Sequence, residues 1–401
     1  MQTLTAQQYA QRSDIKAAED VLRKCVHCGF CTATCPTYQL IGDELDGPRG
    51  RIYQIKQVME GAEPTRTSRL HLDRCLTCLA CETTCPSGVE YSILLEAGRS
   101  LHAEKLKRPA RETVYRFLLR KLVTHPGRFK LMLGMAHAFG FMLPSSLRNK
   151  IPPRTRTTPA VNTGKHDRTV LLLRGCAQSV TAPQINAAAQ HVFNRLGLTA
   201  VMVNDGCCGA MSHHLDATNE ALDMARRNID AWWPLIEEGA EAIVITASGC
   251  ATMVHEYGRL LADDPVYAER ATRVSSLVRD PVELIEQSPG KLKSKTSVPH
   301  HIAYHAPCSQ QHGLKIRERV EKQLAMAGYQ LVPHRDGHLC CGSAGAYSML
   351  EPGISNQLKK NKLERLQEKK PELIATANIG CLLHLQSGTD TPVRHWLELL
   401  E

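Results

Sequence analysis

Cysteine at two short, repeated spacings is the feature of this sequence with the most chemistry in it. Cys25, Cys28, Cys31 and Cys35 run as C-x2-C-x2-C-x3-C before Pro36, and Cys75, Cys78, Cys81 and Cys85 repeat the run before Pro86. Three thiols at two-residue intervals let one tight loop grip three corners of an iron–sulfur cube. The fourth, followed by the fixed backbone of proline, reaches out of that loop. Four thiolates also suit tetrahedral zinc, but zinc ligands usually come as two C-x2-C pairs across a longer loop.

Where two such runs share a domain, the fourth cysteine of each ligates the other cluster. That rule assigns Cys25, Cys28, Cys31 and Cys85 to one [4Fe-4S] cluster, and Cys75, Cys78, Cys81 and Cys35 to a second. The chemistry expected is electron transfer.

The other eight cysteines form a second repeat. Cys176, Cys207, Cys208 and Cys250 match Cys308, Cys340, Cys341 and Cys381 at offsets of 132, 133, 133 and 131. Four matches at nearly one offset mark an internal duplication. Each vicinal pair is followed by glycine, Gly209 or Gly342, which lets backbone approach whatever the sulfurs hold. Each set is a candidate site for a metal or a cluster; buried reduced thiols and a redox-active dithiol are the alternatives.

Other residues near these motifs carry weaker signals. His305 and His384 lie near cysteines and could be extra ligands, but the repeat pairs them with Leu173 and Met253, so they read rather as core residues or as groups that orient a ligand. Arg49 and Arg51, between the tandem runs, could raise a cluster potential or belong to a solvated loop. Trp232 and Trp233 read as part of a core helix.

Elements that position these groups follow from periodicity. Ser13 is a candidate cap for a helix presenting Ile15, Ala18, Val21 and Leu22 on one face and delivering the chain to Cys25. A helix is expected over 51–61 and another from Ile93. Beyond residue 165, strands Val170–Leu173, Ala200–Val203 and Ala242–Thr246 each precede cysteines, as do Ile302–His305, Gln330–Pro333 and Leu373–Thr376. Helices are expected between them, over 184–196 and 315–327. In an open parallel sheet ligands collect at loops beyond the strand C-termini, where all eight of these cysteines fall. The fold class expected is α+β and multidomain. A helical two-cluster ferredoxin-type domain (1–105) is followed by a basic helical connector and linker (106–165), then by two α/β cysteine-rich lobes (166–290 and 291–401).

Composition sets bounds. A chain of 401 residues is long enough for two or three domains. Residues 1–14 lack the basic start and apolar stretch of an export signal, so the sixteen cysteines read as reduced cytosolic thiols, not a disulfide framework. No stretch reaches the roughly 18 apolar residues of a membrane span. Charge is uneven: residues 104–168 carry 15 Lys/Arg against 3 Asp/Glu, leaving the rest slightly acidic within a total of +9. Their apolar-basic run from Arg111 to Leu147 suits anionic lipid or an acidic partner, with Arg116, Arg120 and Lys121 as the candidate contacts; ordinary packing is the alternative. No nucleic-acid motif is present. There is no Gly-rich phosphate loop after a strand and no Ser/His/Asp arrangement, so no catalytic residue is assigned and substrate oxidation is expected on another subunit.

The stretches Cys25-Val26-His27-Cys28-Gly29-Phe30-Cys31-Thr32-Ala33-Thr34-Cys35-Pro36-Thr37-Tyr38, Gly47-Pro48-Arg49-Gly50-Arg51, Asp230-Ala231-Trp232-Trp233-Pro234, Ala377-Asn378-Ile379-Gly380-Cys381 and Val393-Arg394-His395-Trp396 resemble the iron–sulfur subunits of bacterial glycolate oxidases nearly end to end. The lobes resemble the CCG domains of heterodisulfide reductase and anaerobic glycerol-3-phosphate dehydrogenase. They depart from the heterodisulfide pattern: Cys250-Ala251-Thr252-Met253 and Cys381-Leu382-Leu383-His384 keep only the first cysteine of a C-x2-C. The resemblance implies two [4Fe-4S] clusters, with a further cluster or zinc in one or both lobes. It implies FAD-binding partner subunits that oxidise glycolate to glyoxylate, and a quinone or other acceptor reached from the cytoplasmic face of the inner membrane. The corresponding subunit of a lactate or glycerol-3-phosphate dehydrogenase, and a non-catalytic metal-binding scaffold, are the rival readings.

Overall fold

The structure, a computed structural model, describes residues 1–142, 151–152, 164–295 and 297–400. Most of the expected linker over 151–163, and the end of the apolar-basic run at 143–147, lie outside the described residues.

The N-terminal part is helical. Helices α1 (Ser13–Lys24), α2 (Pro48–Met59) and α3 (Tyr91–Lys105) bury Ile15, Leu22, Ile55, Met59, Leu94 and Leu101 against one another. The apolar spacing that predicts α1 is the face it buries. Its cap differs from expectation: Arg12 is the N-cap, no side chain caps the turn, and Ser13 Oγ donates to Asp263 Oδ2 at 3.2 Å. Helix α2 starts three residues earlier than its apolar pattern predicts, because Pro48 suits the first helical position, where no N–H is needed. A hairpin of α4 (Ala110–Val123) and α5 (Pro126–Ala138) leads out of this domain.

Each later half is a four-stranded parallel sheet. The first runs β2 (Leu198–Met202), β1 (Arg168–Leu172), β3 (Ala242–Val244), β4 (Val278–Arg279); the second runs β6 (Gln330–Leu331), β5 (His301–His305), β7 (Leu373–Thr376), β8 (Val393–His395). The two-residue alternation of a strand assigns the layers. Val170 and Leu172 join a core shared with Ile302, Tyr304, Leu373 and Trp396 of the other lobe. Leu171 and Leu173 face the opposite way, onto Ala225, Ile229 and Trp232. These last lie on α7 (Thr218–Glu237), which follows α6 (Gln184–Arg195); α8 (Ser248–His255) comes after β3.

In the second lobe α9 (Arg319–Met326) begins four residues later than its sequence pattern predicts. Lys315 and Glu318 both hold φ near +57°, a left-handed geometry that a helix cannot continue through. Helices α10 (Pro352–Gln367) and α11 (Ile379–Gln386) complete the lobe. Trp232 is fully buried, as a core-helix residue should be, whereas Trp233 sits at the surface with the Arg270 guanidinium 5.0 Å from its ring centroid.

Candidate metal centres

The two tandem runs adopt one loop conformation twice. The residues flanking the central cysteine are left-handed in both: His27 and Gly29 around Cys28, Thr77 and Leu79 around Cys78. These reversals curl the loop so that its sulfurs face one point. Gly29 holds φ at +89°, which favours glycine, and the Arg49 guanidinium would have to move aside for a Cβ there.

The thiols gather in two groups that exchange their fourth members. One hollow is lined by Cys25, Cys28, Cys31 and Cys85, with Cys81 behind. Burial and the neighbouring Cys25, Cys85 and Cys28 push the Cys31 thiol up to about 11. In the other group burial raises Cys78 and Cys81 far more, and both feel Cys35 and Cys75. Cys31, Cys78 and Cys81 are thereby held protonated when bare; a bound cation would hold them as thiolates. Each group thus offers the four sulfurs that a cube requires.

A buried charge cluster underlies the second group. Asp46, wholly buried, lies 3.4 Å from Arg51, 3.1 Å from His71 Nδ1 and 2.9 Å from Arg74. Arg51 also donates to the His71 carbonyl at 2.7 Å and to Thr37 Oγ1, which sits 3.2 Å from Cys35 Sγ. Burial opposes the Arg51 charge, but Cys75, Tyr91, Cys35 and Asp46 overcome it and the guanidinium stays charged. Arg49 instead pairs with Glu44 at 2.6 Å in a half-exposed position. Asp46 gives no sequence signal, since an acidic residue before Gly47-Pro48 reads as a turn.

In the lobes the thiols meet at the strand C-termini. Cys176 follows β1, Cys207 and Cys208 follow β2, and Cys250 lies in the first turn of α8; Cys308, Cys340, Cys341 and Cys381 repeat this around β5, β6 and α11. Cys176 Sγ is 3.5 Å from Cys207 Sγ, and Cys308 Sγ is 3.8 Å from Cys340 Sγ. Cys208 lies against Cys250, and Cys341 against Cys381. The glycine after each pair is required twice over: φ is +90° at Gly209 and +88° at Gly342, and a Cβ there would stand 3.0 Å from the Ala221 carbonyl or 2.6 Å from that of Ser355.

The histidines separate. His384 Nε2 contacts Ser355 Oγ at 3.3 Å. His305 is buried as a core residue would be, yet neither ring nitrogen has a hydrogen-bond partner among the described residues, and it groups with Cys341 and Cys381 within 4.8 Å. Burial first, then Lys362, keeps this imidazole well below the ordinary histidine range, hence neutral. Lys362, nearly fully buried, donates to the Asp336 carbonyl at 2.6 Å and feels Cys341, Cys340 and Cys308. It falls in the run Lys359-Lys360-Asn361-Lys362, which reads as a solvated face, so only the fold reveals it.

Three of the four thiol groups converge. Twelve of the sixteen cysteines line one cavity of about 1240 Å3 between the helical domain and the two lobes. The lobes meet beside it, where Ser248 Oγ and Ser309 Oγ lie 2.7 Å apart and Ser248 N donates to the Ala377 carbonyl. Cys78 shares an apolar cluster with Cys340, Leu76, Ala80, Tyr347 and Leu358, with Cys308 packed against it. At the far end Cys28 is exposed, flanked by Val26 at 70% and Phe30 at 61% exposure.

The candidate surface cations of the connector are engaged within the chain. Arg116 is buried, 2.8 Å from Glu112 and 3.6 Å from Asp73; Lys121 is 2.9 Å from Glu220, and Arg120 is 3.9 Å from it. The exposed apolar face of the hairpin lies elsewhere, at Phe117, Leu118, Leu131, Met135, Phe139 and Phe141. Among the described residues no helix is long and apolar enough to cross a membrane.

Comparison with known proteins agrees with this organisation. A 4Fe-4S dicluster domain matches residues 21–89, and a cysteine-rich domain matches twice, at 170–255 and 302–386. The glycolate oxidase iron–sulfur subunit of Escherichia coli strain K12 is 49% identical over 402 aligned residues, covering 100% of this chain and 98% of that protein. A probable glycolate oxidase iron–sulfur subunit of Bacillus subtilis strain 168 is 29% identical, over 93% of this chain and 90% of its own length. A crystal structure of a hypothetical protein from Helicobacter pylori shares the fold, with a TM-score of 0.56 at 10% identity over 98% of this chain and 72% of that one. With one cluster domain and two cysteine-rich repeats in this order, and near-half identity maintained from end to end, the chain belongs to the family of glycolate oxidase iron–sulfur subunits.

Proposed function

We propose that this chain relays electrons from a flavin-containing partner, which oxidises glycolate to glyoxylate, toward a quinone. Cys25, Cys28, Cys31 and Cys85 hold an outer [4Fe-4S] cluster; Cys75, Cys78, Cys81 and Cys35 hold an inner one, within a functional unit of residues 1–105. Residues 166–290 and 291–401 act as two further units whose four thiols each hold a metal centre, either iron–sulfur or zinc. When bound, iron–sulfur clusters accept and release single electrons at potentials tuned by charge, hydrogen bonding and solvent access.

The observation that carries this reading is the shared apolar cluster of Cys78 and Cys340. Leu76, Tyr347 and Leu358 pack between the inner site and the second lobe. Val26 and Phe30, beside exposed Cys28, offer a surface on which a partner can dock close to the outer site. Arg51 supplies buried positive charge at Cys35 and Cys75, which favours the reduced, more negative state of whatever they hold. The exposed apolar face of α4 and α5 supports peripheral contact with the cytoplasmic face of the inner membrane.

An anaerobic count of iron and acid-labile sulfide per chain tests the assignment. About eight irons mean two cubes with zinc-filled or empty lobes; about twelve to sixteen put clusters in the lobes as well. Fewer than about eight overturn the two-cluster reading.

A further inference from the structure

The two lobes repeat their cysteines but not the residue at the end of the first strand. In lobe 1 that register position is Leu173, one residue past β1 and still bonded to the Val244 carbonyl, packed in the core with Val203, Ile243 and Ile245. In lobe 2 it is His305, fully buried, with both ring nitrogens lacking a hydrogen-bond partner among the described residues. Buried polar groups ordinarily find partners. Three other buried histidines are bonded: both ring nitrogens of His102 and of His312 have partners, and His395 Nε2 bonds the Thr246 carbonyl; among the described residues His305 is the histidine with neither nitrogen bonded and both buried. What His305 has instead is the sulfurs of Cys341 and Cys381, all within 4.8 Å of one another. The repeat shows that a leucine fits the same place in the fold, so packing does not call for an imidazole.

We propose that His305 is a ligand of the metal centre in lobe 2, which is therefore held by a mixed thiolate–imidazole set, whereas lobe 1 holds its centre by thiolates alone. This rests on the reading that the lobes bind metal. A neutral imidazole offers one ring nitrogen lone pair and brings no negative charge. Each thiol that ligates releases its proton. Substituting imidazole for thiolate lowers the negative charge on a centre and raises its reduction potential. Lys362, whose charge is disfavoured by burial but favoured by Cys341, Cys340 and Cys308, acts in the same direction when protonated. In the corresponding region of lobe 1 the buried side chain is Asn228, which donates to the Cys207 carbonyl at 3.0 Å and is neutral. The two lobes thus differ in donor set and in local charge. Lobe 2, which packs against Cys78, is the one built to accept an electron more readily.

The test uses the full chain purified anaerobically, with iron, zinc and sulfide counted per chain and the potential of each reducible centre titrated. His305→Leu, which copies lobe 1, is expected to lose the metal of one lobe or to shift one potential, with folding checked by circular dichroism. His305→Cys should restore the metal but lower that potential. In protein labelled with 15N-histidine, a nitrogen hyperfine coupling at a paramagnetic lobe centre should be present in the wild type and absent in His305→Leu. His384→Leu should change none of these. Wild-type metal content, potentials and nitrogen coupling in His305→Leu would overturn the proposal. If Cys341→Ser also leaves the metal content unchanged, the lobe-site reading itself fails.

Discussion

Cys78, from the second tandem run, packs against Cys340, from the second cysteine-rich lobe, inside one apolar cluster. Two residues 262 positions apart thereby join the first motif class of the sequence to the second. Tyr347 ties the junction further by donating to the Arg74 carbonyl at 3.1 Å. Lobe 1 meets the helical domain differently, through ion pairs: Glu96 with His213 and Arg259, and Arg108 with Asp216. The two lobes are duplicates in sequence and unequal in position.

The glycine after each vicinal cysteine pair should not tolerate a side chain. In Gly342→Ala the new Cβ would stand 2.6 Å from the Ser355 carbonyl, so α10 must shift. Left-handed strain adds about 1 kcal/mol. Gly209→Ala meets its carbonyl at 3.0 Å and should be milder. The expected outcome is a loss of 2–4 kcal/mol for Gly342→Ala, read by urea unfolding, in the range of overpacking and backbone strain combined.

The buried Arg51 should matter more than Arg49. Arg51→Met strands the wholly buried Asp46 with Arg74 and His71 as its remaining neighbours, which should cost about 3–5 kcal/mol. Arg49→Ala removes a half-exposed pair with Glu44 and should cost under about 1 kcal/mol. A redox titration should show the potential of one centre falling in Arg51→Lys, as the fork of hydrogen bonds is lost, by more than in Arg49→Ala.

Acid should loosen lobe 1 from the helical domain. Burial disfavours ionised Glu96, but His213 and Arg259 hold its carboxyl down to about 2, below its ordinary 4.5. A depressed folded value means the pair's stabilisation is present above about pH 4.5 and is lost as pH falls toward 2. Allowing for partial exposure, the contribution is about 1–2 kcal/mol. Glu96→Gln should remove this pH dependence, measured as the difference in thermal midpoint between pH 6 and lower pH.

Peripheral membrane contact should depend on apolar side chains. Leu131 is 66% exposed and Phe141 76%, whereas Arg116, Arg120 and Lys121 face Asp73, Glu112 and Glu220 within the chain. Leu131→Ser with Phe141→Ser should lower co-sedimentation with anionic vesicles several-fold. Reversing Arg116 to Glu should instead destabilise the fold, because it sets a third carboxylate beside Asp73 and Glu112.

Periodicity and spacing carried much of this architecture. Strand β1 is legible as a short continuous apolar run, Val170 to Leu173, buried on both faces, and helix α1 by apolar residues recurring at three to four; the offset between cysteine sets exposes the duplication. Strands β4 and β8 were not legible, being two and three residues long with no cysteine after them to mark a repeat position, unlike the equally short β6 and β3. The start of α9 was missed because left-handed residues such as Glu318 carry no composition signal. Lys362 looks unremarkable in sequence, and the repeat partner Leu173 argues for His305 as a core residue; their meaning comes from burial and from partners that are present for one and missing for the other. Asp46 is a turn residue until Arg51, His71 and Arg74 are brought around it from 5, 25 and 28 positions away.

The central claim is that the tandem cysteine runs and the second lobe form one relay. Electron paramagnetic resonance of the assembled complex, reduced by adding glycolate, tests it most directly when wild type is compared with Cys341→Ser. The account predicts that the substitution leaves the signals of the two tandem-run centres reducible by substrate while electron delivery to a quinone stops. Undiminished delivery to quinone with the lobe-2 centre removed would contradict it.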